Sequence, residues 1–208
     1  TGARVILADE QSEFGGSLLG SRKLIDGAPA IEWVEAAVRE LAAMEEVHLL
    51  TRSTVSGYYD HNFLTILQKM TNHLPSNPGK GPRERVWRVR AKQVISASGS
   101  IERPLVFPNN DRPGVMLASA VTTYVNRYAV TPGTTAVVFT NNDSAYRSAL
   151  DLHRAGVHVS AVVDVRPEAT GQLVEQARHS GITVLEGHAV IDVKGGKRVR
   201  GVRVMALD

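Results

Sequence analysis

The sequence predicts an α/β fold of two successive units in which short strands alternate with helices around parallel sheets, the first unit interrupted by an antiparallel meander. Three observations carry this. Apolar runs such as "RVILA", "AVVF" and "VHVSAVV" have strand length and stand next to segments with apolar residues at helical spacing. Strand–helix alternation implies parallel pairing with crossover helices. Residues 58–90 instead carry short strands divided by a Pro- and Gly-rich loop, and "RVWRVRA" alternates apolar with charged residues.

Residues 4–8 read as a buried strand ending in Asp9-Glu10, followed by a loop with the pair Gly15-Gly16. "PAIEWVEAAVREL" reads as a helix, with Pro29 in its first turn and Ile31, Val34, Val38 and Leu41 on one face. Short strands are predicted at 47–50 and 54–59, and "FLTILQKM" reads as a further strand or a helical turn. Residues 75–84 read as a loop, 85–91 as a strand, and 93–98 as a strand that rejoins the main sheet. The second unit offers a helix at 117–128, a turn at Thr131-Pro132-Gly133, a strand at 136–139, a helix at 144–155 stopped by Gly156, and a strand at 157–163. A helix at 170–180, a strand at 182–185 and a hairpin over 189–207 turning at Gly195-Gly196 complete it.

The 208-residue length suits one large domain or two small ones. The net charge of +3 is too weak and scattered to argue for nucleic acid, and the basic run at 80–92 reads as a solvated strand face. The absence of cysteine excludes disulfides, thiolate metal sites and a Cys-x-x-Cys redox pair, and fits a cytoplasmic setting. No apolar run approaches the roughly 20 residues of a membrane-spanning helix. The seven histidines show no metal spacing, and Ser98 and Ser144 have no His–Asp partners that the sequence can supply.

Several marks of a nucleotide site remain, each weak alone. Glu10 ends a strand where an acid can accept hydrogen bonds from ribose hydroxyls, although an exposed carboxylate is the plainer reading. Gly15 and Gly16 permit backbone to pass close to a ligand. "RSTV", with Val55, lies where adenine would meet backbone groups. "VISASGS", with Ser98 and Gly99, is similar to the strand-and-turn of two-dinucleotide-binding flavoproteins.

The second unit keeps a strand–turn–helix frame, but on "FTNNDSA" the three template glycines are Thr140, Asn142 and Ala145. Asn142 puts a side chain where pyrophosphate would touch backbone. Asp143 or Ser144 is expected to cap the helix, and Asp164 lies where a ribose acid belongs. This unit is therefore expected to be a degenerate Rossmann-type domain. "PNNDRPGV" reads either as a hinge or interface loop or as a plain turn cluster.

The stretches "GARVILADEQSEFGGSLL", "ASGSIERPLVFPNNDRPGVMLASAVTTYVNRYAV" and "VVFTNNDSAYRSALDLHRAGVHVSAVVDVRP" resemble the alpha subunit of heterotetrameric sarcosine oxidase, over essentially the whole chain. The resemblance implies a Rossmann-like FAD/NAD(P)-binding fold and an internal fragment of a larger subunit. Residues 1–107 would form a partial dinucleotide-binding unit whose first strand and G-x-G-x-x-G loop lie upstream of Thr1. Residues 108–208 would form the degenerate unit with its hairpin.

The resemblance also implies NAD in the intact subunit, FAD in a beta subunit, and FMN near the interface with that subunit. The cofactor-binding candidates are Glu10, Gln11, Gly15, Gly16, Val55, Ser98 and Gly99. No catalytic or metal-ligating residue is assigned. The chain alone is expected to hold no cofactor, to be inactive, and to self-associate through an exposed sheet edge. Two alternatives stay open: a subunit of another amine or opine oxidase or dehydrogenase, and a non-catalytic docking scaffold.

Overall fold

The computed structural model describes residues 2–74 and 81–207. The chain divides into two compact units, Thr1–Gly99 and Ser100–Asp208. The expected boundary at 107/108 falls inside the second of these.

The first unit opens with strand β1 (Val5–Ala8). After a short 3-10 turn at Gly16–Gly20 come β2 (Leu24–Ile25) and β3 (Ala28–Pro29), a small hairpin. Its two turn residues, Asp26 and Gly27, both take positive φ, 52° and 83°. That is the requirement an Asp-Gly pair meets in a tight hairpin.

Helix α1 (Ala30–Ala42) follows, with Pro29 flanking the helix at its N-cap and not inside its first turn. Ala30 and Val34 are buried, while Ile31, Val38 and Leu41 are partly so. This is the predicted apolar face. β4 (Val47–Leu50) then pairs with β1 in parallel, Val5 opposite Val47 and Ala8 opposite Leu50. Helix α1 is thus the crossover between two parallel strands.

The meander consists of β5 (Ser53–Tyr59), β6 (Phe63–Lys69) and β7 (Glu84–Arg90), all antiparallel. "FLTILQKM" is a strand. Leu64 and Ile66, two residues apart on β6, are the buried positions, as one-sided burial requires. The register of β5 shifts between Val55 and Gly57. In the loop expected at 75–84, residues 75–80 lie outside the described residues, 81–83 are irregular, and Glu84 already belongs to β7.

The strand expected at 93–98 is not formed. These residues have no regular secondary structure and are exposed, with Ile95 at 89%. A β-branched run supplies propensity, but a strand is completed only by a neighbour's N–H and C=O groups. No described strand pairs with this stretch.

The second unit begins with helix α2 (Ala118–Tyr128), strand β8 (Thr135–Thr140), helix α3 (Ser144–Arg154) and strand β9 (His158–Asp164). Helix α4 (Gln172–His179) and strand β10 (Val184–Glu186) follow. The sheet order is β10-β9-β8, all parallel. On the central strand Val162 and Val163 point to opposite faces and both are fully buried. Burying each such side chain contributes about 1.5–3 kcal/mol. Tyr146, Ala149, Leu150, Val174 and Ala177 pack into the same core.

Helices α2 and α3 also meet through a polar layer. Thr122 Oγ1 and Ser148 Oγ share a hydrogen bond of 2.8 Å, and Asn126 Nδ2 donates to Asp151 Oδ2 at 2.9 Å. The first turn of α2 is capped from upstream in the chain: Glu102 accepts the amides of Ala118 and Ser119 at 3.1 and 2.7 Å.

Strands β11 (His188–Lys194) and β12 (Gly201–Ala206) form the expected hairpin, joined by residues 195–200. "PNNDRPGV" is a cluster of turns within this unit, laced to that hairpin. Asn109 Nδ2 donates to Asp192 Oδ1 at 2.8 Å, Arg112 donates to the Val193 carbonyl, and the Val199 amide donates to the Pro113 carbonyl at 2.9 Å.

Candidate functional site

Three backbone hydrogen bonds build the edge at the end of β1. The Asp9 amide donates to Leu50 O at 2.9 Å, the Ser53 amide to Asp9 O at 2.8 Å, and the Arg52 amide to Gln11 O at 2.7 Å. Asp9 turns its carboxylate inward onto the Gln11 amide at 2.8 Å. Glu10 is left exposed between these fixed points. The chain leaving β1 is thus stapled to the β4–β5 corner. That staple fixes the backbone on either side of Glu10 against the start of β5, on which Val55 follows two residues after Ser53, 48% exposed.

Gly15 and Gly16 follow with φ of 134° and 52°. Gly15 has a packing reason of its own: a Cβ there would come within 3.0–3.1 Å of Leu19 and Val34. Gly16 faces open space. Ser98 and Gly99 stand apart from the staple, on exposed chain without strand pairing, Gly99 with φ 69°.

The corresponding turn of the second unit is filled by its own side chains. Thr140 Oγ1 donates to the Asn142 carbonyl at 2.9 Å and accepts the Asn142 amide at 3.1 Å. The expected cap by Asp143 or Ser144 is not formed. Asn142 Oδ1 instead accepts the Ser144 amide at 3.0 Å and its hydroxyl at 2.5 Å. Asp143 is drawn away by Arg166, whose Nη1 lies 2.8 Å from Asp143 Oδ1.

Arg166 also forks onto Asp164, with Nη2 2.7 Å from Oδ2 and Nε 3.0 Å from Oδ1. The Arg166 amide adds a bond to Oδ1 at 3.0 Å, and the Tyr146 hydroxyl donates to Oδ2 at 2.8 Å. Asp164 is fully buried. Burial alone would raise its pKa, but the Arg166 hydrogen bonds outweigh this and hold it below the usual carboxylate range. Burial, then the bond to Asp164, pushes the Tyr146 hydroxyl above its ordinary value. No signal in the spacing of Asp164 reveals this commitment, because its partners come from α3 and from the residues just beyond β9.

Among the described residues no group of three His, Asp or Glu side chains gathers as a metal site, and no helix is long and apolar enough to cross a membrane.

No family model matches the chain. It is 47% identical over 199 residues to the sarcosine oxidase alpha subunit of Corynebacterium sp. (strain P-1), covering 95% of this chain and 20% of that protein. Identity to the alpha subunit of Rhizobium meliloti (strain 1021) is 42% over 203 residues, covering 98% of this chain and 20% of that protein. Over nearly its whole length the chain is similar to a segment of sarcosine oxidase alpha subunits. It spans about 20% of the length of these relatives.

The solved structures it resembles show its fold. L-proline dehydrogenase from P. horikoshii matches with TM-score 0.65 and 20% identity over 97% of this chain and 36% of that one. Lactococcus lactis thioredoxin reductase matches with TM-score 0.64 and 18% identity over 97% and 62%. An FAD-dependent pyridine nucleotide-disulphide oxidoreductase from Desulfovibrio vulgaris matches with TM-score 0.58 and 14% identity over 96% and 48%. The fold is the Rossmann-like one of FAD/NAD(P)-binding oxidoreductases.

Proposed function

We propose that this chain is the nucleotide-handling segment of a sarcosine-oxidising subunit, with NAD belonging to the first unit and no dinucleotide to the second. One contrast supports the reading: each unit has an acid at the end of a parallel strand, and only one of the two is available. Glu10 is exposed on a stapled backbone, whereas Asp164 is buried and engaged by Tyr146 and Arg166. Glu10 and Gln11 would hold the ribose of the adenosine half, and Val55 would pack beside adenine. Gly16, with open space where a Cβ would stand, suits close approach. Bound NAD supplies a nicotinamide ring able to accept hydride; the residues here act only on its adenosine end.

The sequence contains no G-x-G-x-x-G run to meet the pyrophosphate. A charge-assisted bond from Glu10, worth about 1.5–3 kcal/mol, falls short of the about 4–15 kcal/mol lost on immobilising a ligand. The 208-residue chain should therefore bind NAD no better than millimolar in calorimetric titration. A longer chain carrying such a loop should bind more tightly, and Glu10→Ala in that chain should weaken it again. Micromolar affinity of the 208-residue chain overturns the half-site argument.

Docking to other subunits is a second role, favoured by Ile101 and Val106 of the second unit, exposed at 90% and 92%. A beta subunit carrying FAD, with FMN near its interface, fits such a surface in a cytoplasmic complex. In the chain alone, the edge of β1 that has no strand partner among the described residues, with Val5 and Leu7 partly exposed, is open to self-association.

A further inference from the structure

The turn that joins β11 to β12 is built more firmly than a solvated loop requires. Val199 anchors it through its amide on Pro113 O, with its side chain against Gly114, where an added Cβ would come within 2.5 Å of Val199 Cγ1. The Arg200 amide closes the turn on Lys194 O at 2.8 Å. Gly195 has φ 125°, and a Cβ there would lie 2.2 Å from Arg198 O, so the tight path admits only glycine. Around this turn lies a dent of about 400 Å³ lined by Gly196, Lys197, Arg198 and Arg200. Gly196 contributes no side chain to fill it, and no carboxylate lines it. Among the described residues, none of the three cations makes an ion pair.

We propose that this dent binds a small phosphate-bearing anion, held by Lys197, Arg198 and Arg200. Three unpaired cations on a fixed backbone repel one another until an anion joins them. Two guanidinium forks match the paired oxygens of phosphate, and the lysine adds a point charge. Because the loop is already ordered, little freedom is lost on binding. The dent lies within the second unit, whereas Glu10 belongs to the first, and its test does not involve NAD.

The test is a titration of the 208-residue chain with inorganic pyrophosphate, followed by NMR and calorimetry, at low salt and at about 0.15 M salt. Saturable one-to-one binding is expected, with the amides of residues 195–200 shifting. The triple variant K197Q/R198Q/R200Q should weaken it at least about tenfold without lowering the melting temperature, since all three side chains are exposed. Arg198→Lys, which keeps charge but loses the fork, should fall between. R88Q/R90Q, which removes exposed arginines of β7, should leave binding unchanged. The proposal is overturned by non-saturating binding, by equal weakening in R88Q/R90Q, or by a glutamate-rich peptide binding more tightly than pyrophosphate.

Discussion

The Tyr146 hydroxyl donates a 2.8 Å hydrogen bond to Asp164 Oδ2, joining the first turn of α3 to the end of β9 with both side chains fully buried. Tyr146→Phe keeps the ring and removes only this donor to a charged acceptor. It should destabilise the second unit by about 1.5–3 kcal/mol in urea unfolding. In a double-mutant cycle with Asp164→Asn the double variant should lose less than the sum of the two single losses. Strict additivity would mean that the bond contributes nothing.

The same pair sets a pH dependence. Asp164 has a depressed folded pKa, so its contribution is present above the unfolded value of about 4 and lost as pH falls through the folded one. Tyr146 has a raised folded pKa, so its contribution is full below the unfolded value of about 10 and lost as pH rises toward the folded one. Stability of the second unit should be level between about pH 5 and 9 and fall at both ends. Tyr146→Phe should flatten the alkaline limb and only shrink the acid limb, because the hydroxyl is one of the groups that lower the Asp164 pKa while the Arg166 bonds remain, as read from urea midpoints across pH.

Asn142, not Asp143, supplies the side-chain oxygen at the start of α3. Asn142→Ala should therefore cost about 1 kcal/mol. Asp143→Ala removes an ion pair whose acid is half exposed, and should cost no more than about 1 kcal/mol. Thermal melts of the two variants check the order, and a larger loss from Asp143→Ala would reverse the assignment.

Gly15 and Gly16 should respond differently to alanine. At Gly15 the added methyl meets Leu19 and Val34 on a backbone at φ 134°, and the loss should be about 2–4 kcal/mol. At Gly16 the methyl enters open space at φ 52°, and the loss should be about 1–2 kcal/mol. Equal losses would show that Gly15 is not tightly packed.

The parallel units were legible because their strands and helices carry local periodicity. Helix α1, with Val34 facing inward, follows the sequence almost residue by residue. The Asp26-Gly27 hairpin went unread although its dipeptide is a direct turn signal; strands of two residues, Leu24–Ile25 and Ala28–Pro29, are too short to show alternation. Residues 93–98 misled for the opposite reason, since their composition suits a strand and pairing does not supply one. Glu10 could be placed because it follows its strand directly. The burial of Asp164 could not, because it depends on Tyr146, 18 residues earlier on another element. The capping role of Asn142 was hidden by Arg166, which takes Asp143 out of competition.

The polar layer between α2 and α3 works like the teeth of a ratchet. Sliding one helix by a turn, about 5.4 Å, would part Thr122 from Ser148 and Asn126 from Asp151. Ser148 and Asp151 are exposed by only 6% and 1%, so water could not replace the lost partners at small displacement. An apolar seam would glide with little resistance; this one holds the two helices at a single index position. Shear along α2 and α3 is therefore closed to the second unit, and any movement it makes must be taken up in the connections around the helix pair.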